Sequence, residues 1–118
     1  MTEKQIETQI LTWLNYQPGI MAFKVNTVGI YDPRRGIFRR ILNPFIHKGT
    51  SDIIGLCNGT FFCIEVKTKT RLREVTDEQV RFIEQVKGRG GFGMVATSLA
   101  QVERFIHSIR QISPSRMI

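Results

Sequence analysis

Apolar residues recur at helical spacing near both ends of the chain, which predicts a helix at each end. Thr2 is a suitable N-cap for the first helix, and the Pro-Gly pair at 18–19 ends it. The last helix is predicted to begin near Ser98. The apolar positions of the two helices are Ile6, Ile10, Trp13 and Leu14 in the first, and Val102, Phe105, Ile106 and Ile109 in the last.

The middle of the chain alternates or clusters its apolar residues over short runs, which is typical of β-strands. Strands are predicted over residues 20–28, 37–42, 52–57, 60–67 and 92–97. Asn58 and Gly59 form a strong tight-turn signal, so two of these strands should form an antiparallel hairpin. Residues 29–36 are predicted as a turn and 68–76 as a basic loop. Thr76 and Gln79 have the spacing of a capping box, which starts a helix running to about Lys87.

The resulting order is α-β-(β)-β-β-α-β-α, in which helices flank a small mixed sheet. The sequence therefore predicts a single α/β domain over residues 1–118, with a frayed tail at 113–118. The glycine-rich segment 88–93 follows a helix instead of opening one, so it is interpreted as a helix end and not as a nucleotide-binding loop.

The composition indicates what kind of partner the protein binds. The chain has 17 Lys and Arg residues and 10 Asp and Glu residues, which gives a net charge of +7. This excess favours a polyanionic partner, most commonly nucleic acid. Cys57 and Cys63 do not combine with the two histidines in a zinc spacing and are expected to be packing residues. We expect no membrane span and no secretory signal, and hence a cytoplasmic protein.

Three polar residues stand out in the otherwise apolar predicted hairpin. Asp52 begins one strand, Glu65 lies near the end of the other, and Lys67 shares a strand face with Glu65. Burying carboxylates among apolar residues costs free energy unless a partner compensates their charge. Mg²⁺ is such a partner because it prefers carboxylate oxygens, and the Val66 carbonyl is a further candidate ligand. Such an ion activates water against a phosphodiester, and Lys67 could orient that water or neutralise developing charge. The alternative is a simple cross-strand ion pair on an exposed sheet face.

This arrangement resembles the PD-(D/E)xK nuclease motif and, more closely, the VRR-NUC branch of virus-type replication-repair nucleases. The resemblance rests on the segments 48–55, 62–67, 76–79 and 90–96 and spans almost the whole chain. Ser51 stands where the family motif has proline. The resemblance implies a restriction-endonuclease-like core, Mg²⁺ or Mn²⁺ bound by Asp52 and Glu65, and Lys67 as the catalytic lysine. It also implies cleavage of branched DNA, with Holliday junctions as the leading substrate.

Two further catalytic residues come from the same resemblance. Gln79 matches a glutamine in the helix after the motif, and its alternative role is to cap that helix. Related enzymes also place a glutamate of the first helix near the metal. Glu7 resembles that position best, and Glu3, one helical turn away, is the alternative, although a first-turn acid also suits the helix dipole.

The remaining basic residues are candidates for contacts with the DNA backbone, which position the substrate without reading its sequence. They are Arg34, Arg35, Arg39, Arg40, Lys48, Lys69, Arg71 and Arg73. Symmetric cleavage of a four-way junction needs two active sites, so we expect a homodimer. The alternative function is a nucleic-acid-binding module that does not cut, and a sequence-specific restriction enzyme ranks lower because little chain is left for a reading domain.

Overall fold

The computed structural model of the protein describes residues 1–25, 30–39 and 47–112. Three α-helices, six strands and one 3₁₀-helix follow one another in these ranges. In chain order they are α1 (Glu3–Tyr16), β1 (Ile20–Lys24), β2 (Ile30–Asp32), β3 (Ile37–Arg39), β4 (Ile53–Cys57), β5 (Thr60–Val66), the 3₁₀-helix (Lys69–Glu74), α2 (Asp77–Gly88), β6 (Phe92–Ala96) and α3 (Leu99–Ile112).

Four strands form a mixed sheet in the order β1-β4-β5-β6. β4 is antiparallel to both of its neighbours, whereas β5 and β6 are parallel and are connected through α2. β2 and β3 pair with each other as a separate two-stranded sheet. The predicted α/β fold with a small mixed sheet flanked by helices is therefore confirmed.

One face of the four-stranded sheet packs against α1 and α3 and forms the main core. Phe62 of β5 is fully buried there and meets the ring of Phe105 edge to face at a centroid distance of 6.3 Å. The apolar stripes predicted for the two terminal helices supply most of the remaining contacts. The buried residues of these helices are Ile6, Ile10, Leu14, Val102, Ile106 and Ile109.

The other face of the sheet is covered by α2 only over β5 and β6. At Gly93 a Cβ atom would lie 2.8 Å from Cys63 Sγ and 2.9 Å from Ile83 Cγ2, so the absence of a side chain allows α2 to approach β6. Over β1 and β4, no described helix covers this face. The large apolar residues exposed there and on adjoining β5 are Met21, Phe23, Leu56 and Phe61.

The outer edge of β1 is occupied by a side chain of α1. Asn15 Oδ1 accepts a hydrogen bond from the Ala22 N–H at 2.9 Å, and Asn15 Nδ2 donates to the Ala22 carbonyl at 3.2 Å. These are the backbone groups that an additional strand would use. Asn15 therefore protects this edge against pairing with another chain.

The predicted helices, the N-cap at Thr2 and the capping box of Thr76 and Gln79 are confirmed. Thr2 and Gln5 form a second capping box, at the start of α1. None of the helices in the described ranges is long and apolar enough to cross a membrane.

Two shorter elements differ from the prediction. The segment 29–36, expected to be a turn, includes β2, and the expected loop at 68–76 contains the 3₁₀-helix. Elements this short carry too few residues for a readable periodicity. Residues 26–28 and 40–42 of the predicted strands, and the tail at 113–118, lie outside the described residues.

Candidate active site

The β4–β5 hairpin brings the two predicted carboxylates opposite each other. Its turn uses Asn58 at φ 50° and Gly59 at φ 85°, the left-handed conformations that a two-residue turn with matching twist requires. Ile53 is paired with Ile64, so the next step of the same register sets Asp52 opposite Glu65. The Val66 N–H donates a hydrogen bond of 2.8 Å to Asp52 Oδ2, which ties the start of β4 to the end of β5.

Glu65 is the most unusual residue of this arrangement, because its side chain is only 2 % exposed. Its Oε1 has no hydrogen-bond partner among the residues that the structure describes. Burial raises the pKa of the Glu65 carboxyl to about 9, with a hydrogen bond to Asp52 and the Asp52 charge acting in the same direction and Lys67 opposing them. A buried carboxylate with a free oxygen and a second acid beside it favours either a proton or a cation.

Lys67 follows directly after β5 and is held by the parallel strand pair. Its N–H donates to the Ala96 carbonyl at 3.0 Å, which continues the β5–β6 ladder beyond Val66. The side chain is half-buried, and its charge lowers the pKa of Glu65. The Val66 N–H is hydrogen-bonded to Asp52. A role of the Val66 carbonyl as a metal ligand stays a prediction.

The acid of α1 that acts electrostatically on Glu65 is Glu3. Its charge contributes to the raised pKa of Glu65, and its buried Oε1 has no hydrogen-bond partner in the described part of the chain. Its Oε2 accepts a hydrogen bond of 3.2 Å from Arg71 Nη1, and Arg71 Nε also donates to Glu74 at 2.7 Å. Arg71 therefore links the 3₁₀-helix to the start of α1 through Glu3.

Glu7, which sequence reasoning preferred over Glu3, forms an ion pair with Lys24 Nζ at 3.1 Å. The two acids lie one helical turn apart on the same helix, so local sequence could not separate them. The contact between Arg71 and Glu3 distinguishes the two acids, but it depends on the position of the 3₁₀-helix in the folded protein.

Gln79 is engaged in the capping box that was its alternative role. Its Oε1 accepts a hydrogen bond from the Thr76 N–H at 2.9 Å, and Thr76 Oγ1 accepts from the Gln79 N–H at 3.1 Å. The side chain is half-buried at the N-terminus of α2. A catalytic role for Gln79 stays a prediction.

The oxygens present fit a hard divalent cation, provided that the protein supplies only part of its coordination shell. Within residues 1–25, 30–39 and 47–112, no three His, Cys, Asp or Glu side chains lie close enough to form a metal site alone. An ion at Asp52 and Glu65 would therefore need a backbone carbonyl and water molecules, and Mg²⁺ commonly keeps several waters. Glu65 Oε1 would be one ligand of such an ion, because this oxygen has no hydrogen-bond partner among the described residues.

The predicted DNA-contacting residues lie at separate places. Arg34 and Arg35 are exposed in the β2–β3 turn, Lys69 and Arg73 are exposed on the 3₁₀-helix, and Lys48 is exposed in the segment before Asp52. Arg39 lies in β3, Arg40 lies outside the described residues, and Arg71 is engaged with Glu3 and Glu74. Sequence reasoning did not identify the arginines of α2 and its C-cap, Arg81 and Arg89.

Comparison with solved structures shows which known fold this chain shares. A solved structure described as a VRR_NUC domain protein matches this chain with a TM-score of 0.64 and 18% sequence identity, over 100% of this chain and 98% of the other. No protein-family model matches the sequence, and no curated protein does. The likeness shows a shared nuclease-like fold, and the resemblance inferred from the sequence is thereby confirmed as to the fold.

Proposed function

We propose that this protein is a Mg²⁺- or Mn²⁺-dependent DNA endonuclease, with an active site formed by Asp52, Glu65 and Lys67. The observation that carries the proposal is the buried Glu65 carboxyl, which lies beside Asp52 and whose Oε1 has no partner in the described ranges. An acid in such surroundings lowers the stability of the metal-free fold unless it is protonated. A cation-binding role explains why the site contains it.

Each residue has a role that follows from its position. The Val66 N–H binds Asp52 Oδ2 and so orients the carboxylate beside Glu65, with which it shares a side-chain hydrogen bond. The two acids together would supply the carboxylate ligands of the cation. When bound, the cation would polarise the phosphodiester and lower the pKa of a bound water. Lys67 lies two residues from Glu65, where it orients the water or neutralises negative charge on the phosphate. We propose Glu3, held by Arg71, as the acid of α1 in this site, in place of Glu7.

The proposed substrate is branched DNA, with the four-way junction as the leading case. Symmetric cleavage of such a junction needs two sites related by a two-fold axis, and therefore a homodimer. The exposed apolar residues over β1, β4 and β5 (Met21, Phe23, Leu56 and Phe61) are the surface through which we propose that two copies pack. Analytical ultracentrifugation of the wild type and Met21→Glu tests this proposal. A monomeric wild type contradicts it, and a dimer that Met21→Glu dissociates supports it.

Cleavage of a labelled four-way junction with Mg²⁺ or Mn²⁺ tests the catalytic proposal. We expect Asp52→Asn and Lys67→Ala to lower the rate by roughly a hundredfold or more, the usual order for a catalytic group. Glu3→Gln should lower the rate far more than Glu7→Gln, which serves as its matched control on the same helix. Equal rates for the wild type, Asp52→Asn and Lys67→Ala would refute the site. If calorimetry detects no Mn²⁺ binding while DNA binding persists, the alternative of a non-cutting binding module is favoured.

A further inference from the structure

A groove follows α2 on the side where the segment before Asp52 packs against the helix. It consists of two adjoining cavities of about 210 Å³ and 200 Å³, which share His47, Phe82 and Gln85 in their walls. The first cavity is completed by Lys48, Glu78 and Arg81, and the second by Val86 and Arg89. The candidate active site lies outside both cavities, so the groove is a separate feature of the surface.

The chemistry of the groove combines positive charge with an aromatic floor. Lys48, Arg81 and Arg89 carry fixed positive charges, against one negative charge on Glu78. Phe82 is half-buried and borders both cavities, so part of its ring is available to a ligand. Cationic side chains around an accessible aromatic ring are typical of sites for single-stranded nucleic acid, where bases stack and phosphates pair with charge.

The groove extends along a helix that is long enough for more than one nucleotide. From Glu78 to Arg89 the axial rise is roughly 16 Å. The Arg89 guanidinium donates through Nη1 to the Gln85 carbonyl at 3.1 Å, so this side chain lies back along the helix towards the shared wall. Cavities of about 200 Å³ have room for a base or a phosphate and are far too small for a duplex.

The groove is coupled to the candidate active site by close backbone packing. At Gly49 (φ 75°) a Cβ atom would lie 2.3 Å from the carbonyl carbon of Glu78 and 2.6 Å from the Gln79 nitrogen. The segment carrying Lys48 is therefore pressed against the N-terminus of α2. Lys48 and Asp52 are four residues apart and so lie within roughly 14 Å of each other.

We infer that this groove binds a single-stranded segment of the DNA substrate beside the cleavage site. A base stacks on Phe82, and the flanking phosphates pair with Arg81, Lys48 and Arg89. The inference rests on the proposed function, because it takes branched DNA as the substrate and assigns the groove to the single strand at the branch. A groove of this kind tolerates any sequence, since every base has a face that can stack.

Fluorescence anisotropy with a labelled thymidine oligonucleotide and a labelled duplex, in EDTA so that no cleavage occurs, tests the inference. We expect Phe82→Leu and Arg81→Ser each to weaken single-strand binding by roughly fivefold or more and duplex binding by less than about twofold. Arg104→Ser, which removes an exposed arginine from α3, is the charge-matched control and should leave the ratio of the two affinities unchanged. Arg81 is exposed, so its variant keeps the test valid even if Phe82→Leu fails to fold.

The outcomes separate this inference from the proposed catalysis. Equal affinities in the wild type and both groove variants, or parallel losses for single strand and duplex, would overturn the inference. If the wild type cleaves junctions and neither Phe82→Leu nor Arg81→Ser changes the single-strand affinity, the inference about the groove is refuted and the proposed nuclease activity is not. A protein that loses single-strand affinity in these variants but never cleaves DNA refutes the nuclease and supports the groove.

Discussion

Replacing Glu65 with glutamine tests whether the buried carboxyl destabilises the metal-free fold. Burial first, and then the hydrogen bond and charge of Asp52, raise the pKa of Glu65 to about 9. Glutamine has nearly the same shape and carries no ionisable proton. The variant should therefore keep the packing of the site and lose the pH-dependent penalty.

The sign and size of the effect follow from the two pKa values. The carboxyl has a pKa of 4.5 when unperturbed and about 9 in the fold, so between these values the folded state retains a proton that the unfolded chain releases. The free energy of unfolding therefore falls as the pH rises from the lower value to the higher one. At about pH 7.5, roughly three units above the lower value, the penalty reaches about 4 kcal/mol at 1.36 kcal/mol per unit. Local relaxation reduces this penalty, so we expect Glu65→Gln to gain about 2 kcal/mol or more.

Urea unfolding in EDTA at several pH values between about 6 and 9 measures this difference. The wild type should lose stability relative to Glu65→Gln as the pH rises, and titrations common to both proteins cancel in the comparison. Glu103→Gln, an exposed position on α3, is the matched control and should follow the wild type. Saturating Mn²⁺ should stabilise the wild type more than the variant. Parallel curves for the wild type and Glu65→Gln over the whole range would refute the reasoning.

Three further predictions concern the packing of the fold. Gly49→Ala should lower the free energy of unfolding by about 3 kcal/mol or more, because its Cβ would overlap the α2 backbone at 2.3 Å. Gly59→Ala has open space around it and should lower the free energy of unfolding by only about 1 kcal/mol. Equal losses in urea unfolding would contradict this difference. Asn15→Ala should cost about 0.5–1.5 kcal/mol, because its hydrogen bonds are exposed, and should promote association through β1. Urea unfolding and light scattering measure the two effects, and a fully monomeric variant of unchanged stability would exclude the edge-protecting role. Leu14→Ala should cost about 2–5 kcal/mol of unfolding free energy because the side chain is fully buried, and a cost below about 1 kcal/mol would disprove its core role.

The parts of the fold that local sequence determines were predictable. The hairpin follows from Asn58 and Gly59, whose backbone conformations fix the turn and hence the register of Asp52 and Glu65. The capping boxes at Thr2 and Thr76 likewise depend on residues three positions apart. Such signals need no knowledge of the tertiary structure, which is why the elements carrying the proposed site were identified from the sequence.

The parts that tertiary contacts determine were not predictable. Arg71 contacts Glu3 across 68 positions of the chain, so the proposal of Glu3 in place of Glu7 rests on a contact that no local pattern encodes. The groove on α2 likewise depends on a tertiary contact, since the missing side chain of Gly49 allows its segment to pack closely against the helix. Arg81 and Arg89 are ordinary exposed charges in the sequence until that packing gives them a shared surface.

The register of the β4–β5 hairpin makes loop length a determinant of the proposed chemistry. Asp52 and Glu65 face each other because two turn residues separate Cys57 from Thr60, although this turn lies at the far end of both strands. One residue inserted there that shifted the pairing by a single step would turn Glu65 to the opposite face of the sheet, with every proposed active-site residue still present in the sequence. A comparison of sequences that counts only conserved acids and lysines would miss such a loss. The spacing between the motifs therefore carries as much functional information as the motifs themselves.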